Sequence, residues 1–127
     1  MLRRLLGVRQ VLADSAKLVA YAGDKWFAAR RPDLVILPRQ TDDVSKLLRY
    51  ASRHRLPVTP RGAGHGYVGG CVPVRGGIVV SLERMNRIRE INAGDFVAVV
   101  QPAVLTKTLQ DRVEALGLYY PPDPASR

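Results

Sequence analysis

Short apolar runs and one amphipathic segment alternate between residues 34 and 60. Residues Leu34–Leu37 form a continuous apolar run between two prolines, a pattern typical of a short buried strand. Apolar residues then recur at helical spacing from Val44 to Ala51. Pro57 ends that helix, and Pro57–Pro60 resumes an extended pattern. The order strand, helix, strand predicts a βαβ unit.

The predicted helix carries its own start signal. Thr41 is expected to be the N-cap, because its hydroxyl can accept a hydrogen bond from a free N–H of the first turn. Asp42 and Asp43 follow in that turn, where the helix dipole favours negative charge. Arg53 lies near the other end, where the dipole favours positive charge.

Residues 1–32 have a weaker pattern and are predicted to be an N-terminal extension of helix and loop. Apolar residues from Leu2 to about Ala20 favour one irregular amphipathic helix. Tyr21–Pro32 is predicted to be a loop, with Gly23 and Asp24 as its turn signal.

The second half of the chain predicts further strands and one more helix. Ile78–Leu82 is a short apolar strand. Ile88–Ile91 and Phe96–Val100 flank the turn residues Asn92–Asp95, which predicts a β-hairpin. A second helix is expected to begin at Thr106. Together these elements predict an α+β fold with mixed sheets and flanking helices, and the proline-rich end favours an N-terminal fragment of a longer protein.

Composition narrows the classes of protein and partner. The chain has 127 residues, 46% of them hydrophobic and 24% charged, which indicates one globular domain or a piece of a larger one. No apolar run approaches the roughly 18 residues that a membrane span requires. The single cysteine, Cys71, excludes an internal disulfide and favours a reducing compartment. We therefore expect a cytoplasmic protein, with peripheral membrane association left open.

The net charge of +9 favours anionic partners, such as nucleic acid, acidic lipid or a phosphate-bearing cofactor. Nucleic acid is the less favoured of these, because the basic residues are not interleaved with exposed aromatic residues. The two histidines and one cysteine do not have the spacing of metal ligands, so no metal site is expected.

A glycine-rich stretch, Thr59–Pro73, reads TPRGAGHGYVGGCVP. Within it Gly64–Gly69 spells GxGxxG, but two glycines and a proline follow where a Rossmann turn needs a helix. The GK[ST] ending of a Walker A loop is also missing. Glycines still allow backbone N–H groups to converge on one anion, and Arg61 can add charge. We predict a nest for a diphosphate cofactor; the alternative, a surface loop without a ligand, is less favoured because ordering so many glycines costs entropy.

The stretch PVTPRGAGHGYVGGCVP resembles the pyrophosphate loop of the FAD-linked oxidases of the vanillyl-alcohol oxidase and p-cresol methylhydroxylase type. Four further stretches resemble other segments of that family in the same order: PDLVILPRQTDDV, GGIVVSLERMNRIREIN, AVVQPAV and LGLYYPPDPAS. The resemblance runs from about Asp33 to Ser126 and is strongest to the hydroxyacid-oxidising branch, with the glycolate oxidase D subunit and D-lactate dehydrogenase.

The resemblance implies that residues 33–127 are the N-terminal part of a p-cresol methylhydroxylase-type FAD-binding domain, incomplete at its C-terminus and without a substrate domain. It implies FAD as cofactor and oxidation of a 2-hydroxy acid such as glycolate or D-lactate by the full-length enzyme, with partner subunits or an oligomer left open. No catalytic residue is assigned to this chain. The implied cofactor contacts are Arg61, Gly62, Ala63, Gly64, His65, Gly66, Gly69, Gly70, Pro122, Asp123, Pro124 and Ser126.

Two roles are open for His65. In berberine-bridge-type relatives, a histidine at the matching position bonds covalently to the flavin; in the glycolate oxidase branch a threonine is common there and FAD is held without a covalent bond. We favour the second role. Two rival functions are also kept: a small basic module that binds nucleic acid, and a degenerate, non-catalytic remnant of a flavoprotein.

Overall fold

The structure is a computed structural model, and it describes residues 1–122. The chain divides into two compact units, Met1–Arg84 and a second that begins at Met85. Each unit has its own sheet.

The first unit is built on a mixed sheet of four strands. Its elements are α1 (Leu2–Leu6), β1 (Val11–Leu12), α2 (Ser15–Leu18), β2 (Leu34–Ile36), α3 (Thr41–Arg53), β3 (Val58–Arg61) and β4 (Ile78–Ser81). The strand order is β1-β2-β4-β3, with β1 antiparallel to β2 and the other pairs parallel. The predicted βαβ unit is confirmed, although β2 and β3 pair with β4 and not with each other.

Successive residues of a strand point to opposite sides of the sheet, so this sheet has apolar side chains on both faces. Helices cover each face. On one face Ile36, Ile78 and Val80 pack with Leu47 of α3 and Leu6 of α1. On the other face Val35, Leu37 and Val79 pack with Leu18 of α2. Each such side chain stabilises the fold by about 1.5–3 kcal/mol through burial. The first unit therefore holds β3, and the loop that follows it, on a rigid base.

The N-terminal residues do not form the single helix that the sequence predicted. Gly7 has φ +93 and ends α1 after five residues. Val11 and Leu12 then pair with β2 as an edge strand, and the carboxylate of Asp14 caps α2 by accepting the N–H of Ala16 at 3.0 Å. The prediction was wrong because strand pairing with a distant segment overrides a weak helical pattern.

The start of α3 differs from the prediction by one residue. Gln40 is the N-cap, it makes no side-chain cap, and Thr41 is the first helical residue. The carboxylate of Asp43 instead reaches back to accept the N–H of Arg39 at 3.0 Å. Asp43 is buried, so this bond gives its carboxylate a partner and fixes the backbone that enters the helix.

The second unit contains the predicted hairpin and helix. β5 (Ile88–Asn92) and β6 (Val97–Val100) pair antiparallel, and α4 (Thr106–Glu114) follows. The side chain of Asn92 shapes the turn by accepting the N–H groups of Gly94 and Asp95 at 3.0 and 3.1 Å. Gly117, with φ +72, lies beyond the helix and donates its N–H to Glu114. Residues 118–120, which follow Gly117, form no strand.

Candidate anion-binding loop and its surroundings

The glycine-rich loop, residues 62–77, connects β3 to β4. Because the two strands are parallel, the chain has to cross from one end of the sheet to the other, and it does so without a helix. Gly64 and Gly69 both have φ +75, a conformation that a residue with a side chain adopts at a cost. The N–H of Val72 bonds to the carbonyl of Gly69 at 3.0 Å and closes a turn there. The Rossmann interpretation is therefore excluded, as the sequence predicted.

The backbone donors in the first part of this loop, Gly62–Cys71, are free. Within residues 1–122, no backbone N–H from Gly62 to Cys71 has a protein acceptor. Most residues of that stretch are exposed, so these donors face solvent or a ligand. Adjacent N–H groups in a glycine-rich turn form a concavity with partial positive charge. The arrangement suits an extended anion.

The side chain of Arg61 is turned back beneath the loop. Its Nη1 donates to the carbonyl of Gly23, and its guanidinium carbon lies 5.6 Å from the ring centroid of Tyr21. A Cβ added at Gly64 would lie 2.2 Å from Arg61 Nη2, so the absence of a side chain at Gly64 gives the guanidinium its place. Arg61 thus contributes its charge at the base of the loop while it is held by residues far away in sequence.

The carboxylate of Glu83 holds Tyr21, the residue on which the Arg61 guanidinium lies. The hydroxyl of Tyr21 lies 3.2 and 3.3 Å from the two carboxylate oxygens of Glu83, and Ser81 donates to the same carboxylate at 2.7 Å. Burial and the neighbouring charge of Glu83 raise the pKa of Tyr21 above its ordinary value. The phenol therefore remains a hydrogen-bond donor at neutral pH, and it holds the ring in place against Arg61.

His65 stands on the exposed part of the loop. Within residues 1–122 its imidazole has no hydrogen-bond partner that would fix its tautomer. Tyr67 and Val68, the next side chains, are also exposed, at 63% and 84%. The predicted contacts Gly62, Ala63, Gly66 and Gly70 lie in the same run of free donors.

The structure adds a neighbour that the sequence did not indicate. Residues Asp24–Trp26 lie against the glycine loop, and the N–H of Lys25 donates to the carbonyl of Gly66 at 2.9 Å. In the sequence these residues were placed in an N-terminal extension, and their only signal was the turn at Gly23 and Asp24.

The predicted C-terminal contacts are only partly described. Pro122 is the last described residue, and its carbonyl accepts Nε2 of Gln110 on α4 at 2.9 Å. The same amide lies 3.3 Å from the carbonyl of Tyr120. Gln110 therefore fixes the backbone from Tyr120 to Pro122. No sequence motif indicated this role. Asp123, Pro124 and Ser126 lie outside the described residues.

The second unit also contains an apolar cleft of about 460 Å³. It lies between Val97 and Val100 of β6, Leu109 and Val113 of α4, and the segment that ends at Tyr120. No charged side chain lines it, so its chemistry suits an apolar or planar group and not a phosphate.

Residues 1–122 contain neither a metal-ligand cluster nor a membrane-spanning helix. Within that range no three histidine, cysteine, aspartate or glutamate side chains come together as a metal site would require. No helix in the same part of the chain has the length and apolar character to cross a bilayer.

Comparison with known proteins identifies the family of this chain. Over residues 32–127 the sequence matches the family described as FAD binding domain. The glycolate oxidase subunit GlcD of Bacillus subtilis is 47% identical over 95 residues, which are 75% of this chain and 20% of that protein. The D-2-hydroxyglutarate dehydrogenase of Stutzerimonas stutzeri is 39% identical over 127 residues, 98% of this chain and 27% of that protein.

A solved structure of p-cresol methylhydroxylase with substrate bound has the same fold. It superposes with a TM-score of 0.79 at 26% identity, over 92% of this chain and 24% of that one. The predicted p-cresol methylhydroxylase-type fold and the resemblance to the hydroxyacid-oxidising branch are confirmed. This chain spans about a fifth to a quarter of the length of the relatives it matches. On the match over residues 32–127, the chain belongs to the family of FAD-binding domains.

Proposed function

We propose that residues 61–70 bind the pyrophosphate of FAD, and that the protein takes part in the oxidation of a 2-hydroxy acid such as glycolate or D-lactate. The observation that carries the first part is the run of unpaired backbone donors from Gly62 to Cys71. A diphosphate has many acceptor oxygens and two negative charges, and such a run can satisfy them together.

The residues present fit this group. Gly62 and Gly70 have no atom within 4 Å of an added Cβ, so the backbone is open to a close approach on that side. The guanidinium of Arg61 lies beneath Gly64 and adds positive charge at short range. The chain as a whole carries +9, which favours the encounter with an anion.

The substrate class is supported by the relatives. Two of them are named a glycolate oxidase subunit and a D-2-hydroxyglutarate dehydrogenase, and both names denote oxidation of a 2-hydroxy acid. A bound flavin supplies a hydride acceptor for that chemistry. The described residues bind and orient the cofactor, and we assign none of them as a general base. The proposal includes a cytoplasmic location, which the single cysteine supports.

His65 is proposed to lie beside the cofactor without a covalent bond. A hydrogen bond to one ring nitrogen sets the tautomer that makes a histidine nucleophilic, and within residues 1–122 the His65 imidazole has no hydrogen-bond partner. After acid precipitation of the FAD-loaded protein, the yellow colour is expected in the supernatant. Flavin that stays in the pellet would show a covalent link and contradict this part of the proposal.

Thermal unfolding with and without ligand tests FAD binding. A ligand that binds only the folded state raises its stability, by about 2.7 kcal/mol at a hundredfold excess over Kd. FAD is expected to raise the unfolding temperature, whereas riboflavin, which has no pyrophosphate, is expected to have little effect.

An oligonucleotide titration in low and high salt tests the alternative function, nucleic-acid binding. Salt-sensitive oligonucleotide binding with no effect of FAD would replace the proposal with a nucleic-acid-binding module. No effect of either ligand would favour a degenerate remnant.

A further inference from the structure

We propose that residues 21–26, here called the strap, hold the glycine loop in its anion-binding conformation, with Asp24 as the positioning residue at the centre. The inference rests on the proposed role of the loop in binding the FAD pyrophosphate. It adds residues that lie outside the matched stretch, since the family match begins at residue 32.

The strap contacts the proposed pyrophosphate-binding stretch, residues 61–70, at its start and near its end. At the start, Arg61 donates to the carbonyl of Gly23 and stacks on Tyr21. Near the end, Cδ1 of Trp26 lies 3.3 Å from the position that a Cβ on Gly69 would occupy. Any side chain at Gly69 would therefore press on the Trp26 ring. These contacts limit how far either end of residues 61–70 can move.

The middle of the strap sets the direction of one peptide group. The N–H of Lys25 donates to the carbonyl of Gly66 at 2.9 Å, which turns that carbonyl towards the strap. The described chain contains no cis peptide bond, and in a trans peptide the next N–H points the opposite way. The N–H of Tyr67 is therefore directed away from the strap. The Lys25 ammonium also lies 3.1 Å from the Tyr67 hydroxyl and holds that side chain.

Asp24 determines where the Lys25 N–H points. Its Oδ1 accepts the N–H of Trp26 at 2.9 Å, an Asx turn that bends the backbone through Lys25. Its Oδ2 is buried, has no hydrogen-bond partner within residues 1–122, and lies 3.0 Å from an added Cβ at Gly66. The carboxylate therefore fills the space beside Gly66, and the strap and loop fit because residue 66 has no side chain.

The chain offers a matched control for Asp24. The carboxylate of Asp14 accepts the N–H of Ala16 at 3.0 Å. As with Asp24 and Trp26, the donor lies two residues after the aspartate, and both bonds lie in the first unit. Asp14 caps α2, and none of the contacts described for the glycine loop involves it. Asp14→Ala therefore removes an equivalent local bond without touching the proposed mechanism.

The experiment compares Asp24→Ala, Asp24→Asn and Asp14→Ala in the 127-residue chain. FAD affinity is measured by flavin fluorescence titration, and protection of the Lys25 amide by hydrogen exchange without FAD. Asp24→Ala is expected to raise the Kd for FAD by about tenfold and to remove Lys25 protection, because the loss of one orienting hydrogen bond corresponds to that order of change. Asp24→Asn keeps the acceptor for Trp26 and is expected to stay within about threefold of the parent. Asp14→Ala is expected to leave both quantities unchanged.

Three results would overturn the role of the strap. Asp24→Ala and Asp14→Ala could change the affinity equally, which would leave only a general effect on stability. Asp24→Ala could remove Lys25 protection and leave the FAD affinity unchanged. Asp24→Asn could weaken FAD binding as much as Asp24→Ala does. If the parent chain does not bind FAD, the proposed function fails by itself. Hydrogen exchange then tests the strap without FAD. The strap is supported if the Lys25 amide is protected in the parent and in Asp14→Ala but loses protection in Asp24→Ala, and any other pattern overturns it.

Discussion

Gly64→Ala tests the link between the glycine loop and the residues beneath it. The added methyl would lie 2.2 Å from Nη2 and 2.4 Å from Cζ of Arg61. Real Cβ atoms do not approach other atoms so closely, so the guanidinium has to move. If it moves, Arg61 loses its bond to the carbonyl of Gly23 and its stacking on Tyr21.

Two costs add in this variant. Residue 64 has φ +75, and an alanine in the left-handed region costs about 1–2 kcal/mol. A hydrogen bond to a charged group contributes about 1.5–3 kcal/mol, and the lower end applies to the half-buried Arg61. We expect the free energy of unfolding to fall by about 2–4 kcal/mol.

Urea denaturation measures the change, with Gly62→Ala as the matched control. Gly62 lies in the same loop, but its φ is not positive and an added Cβ has no atom within 4 Å. Its substitution is expected to change stability by less than about 0.5 kcal/mol. In an Arg61→Ala background, Gly64→Ala should cost only the conformational part, because the clash is gone. Equal effects of Gly64→Ala and Gly62→Ala would refute the reasoning.

Two further predictions concern the same unit. Gly77→Ala places a methyl 2.4 Å from the carbonyl oxygen of Pro57, at φ +77, and is expected to destabilise the chain by about 2–5 kcal/mol in urea; Gly117→Ala in the second unit, at φ +72 with nothing within 4 Å, should cost only about 1–2 kcal/mol, and equal costs would contradict the close packing. Burial and Glu83 raise the pKa of Tyr21, so the stability it contributes is present below about pH 10 and is lost as the pH rises through the folded-state pKa. Tyr21→Phe should therefore flatten the alkaline loss of stability, and an unchanged slope would refute the assignment.

Much of the fold could be predicted from the sequence because its signals are local. The apolar run Leu34–Leu37 includes β2, the helical spacing that follows gives α3, and the turn residues Asn92–Asp95 place the hairpin between β5 and β6. The glycine loop was also found, because its composition is unusual within ten or so residues. Its lack of a following helix could be predicted from Gly69, Gly70 and Pro73.

The surroundings of the loop could not be predicted in the same way. The contact between Asp24 and Gly66 joins residues far apart in sequence, and no periodic pattern records it. Val11 pairs with Ile36 for the same kind of reason, and that pairing breaks the helix expected over residues 2–20. The position of Arg61 likewise depends on Gly23 and Tyr21 being folded against it.

Backbone amide shifts during an FAD titration test the central claim most directly, since they report each donor separately. We expect the largest changes at the N–H groups of residues 62–71, which have no acceptor within residues 1–122. Inorganic pyrophosphate should shift the same amides at a higher concentration, because it carries the group that the loop is proposed to bind. FAD binding with those amides unchanged, and shifts confined to the second unit, would contradict the account.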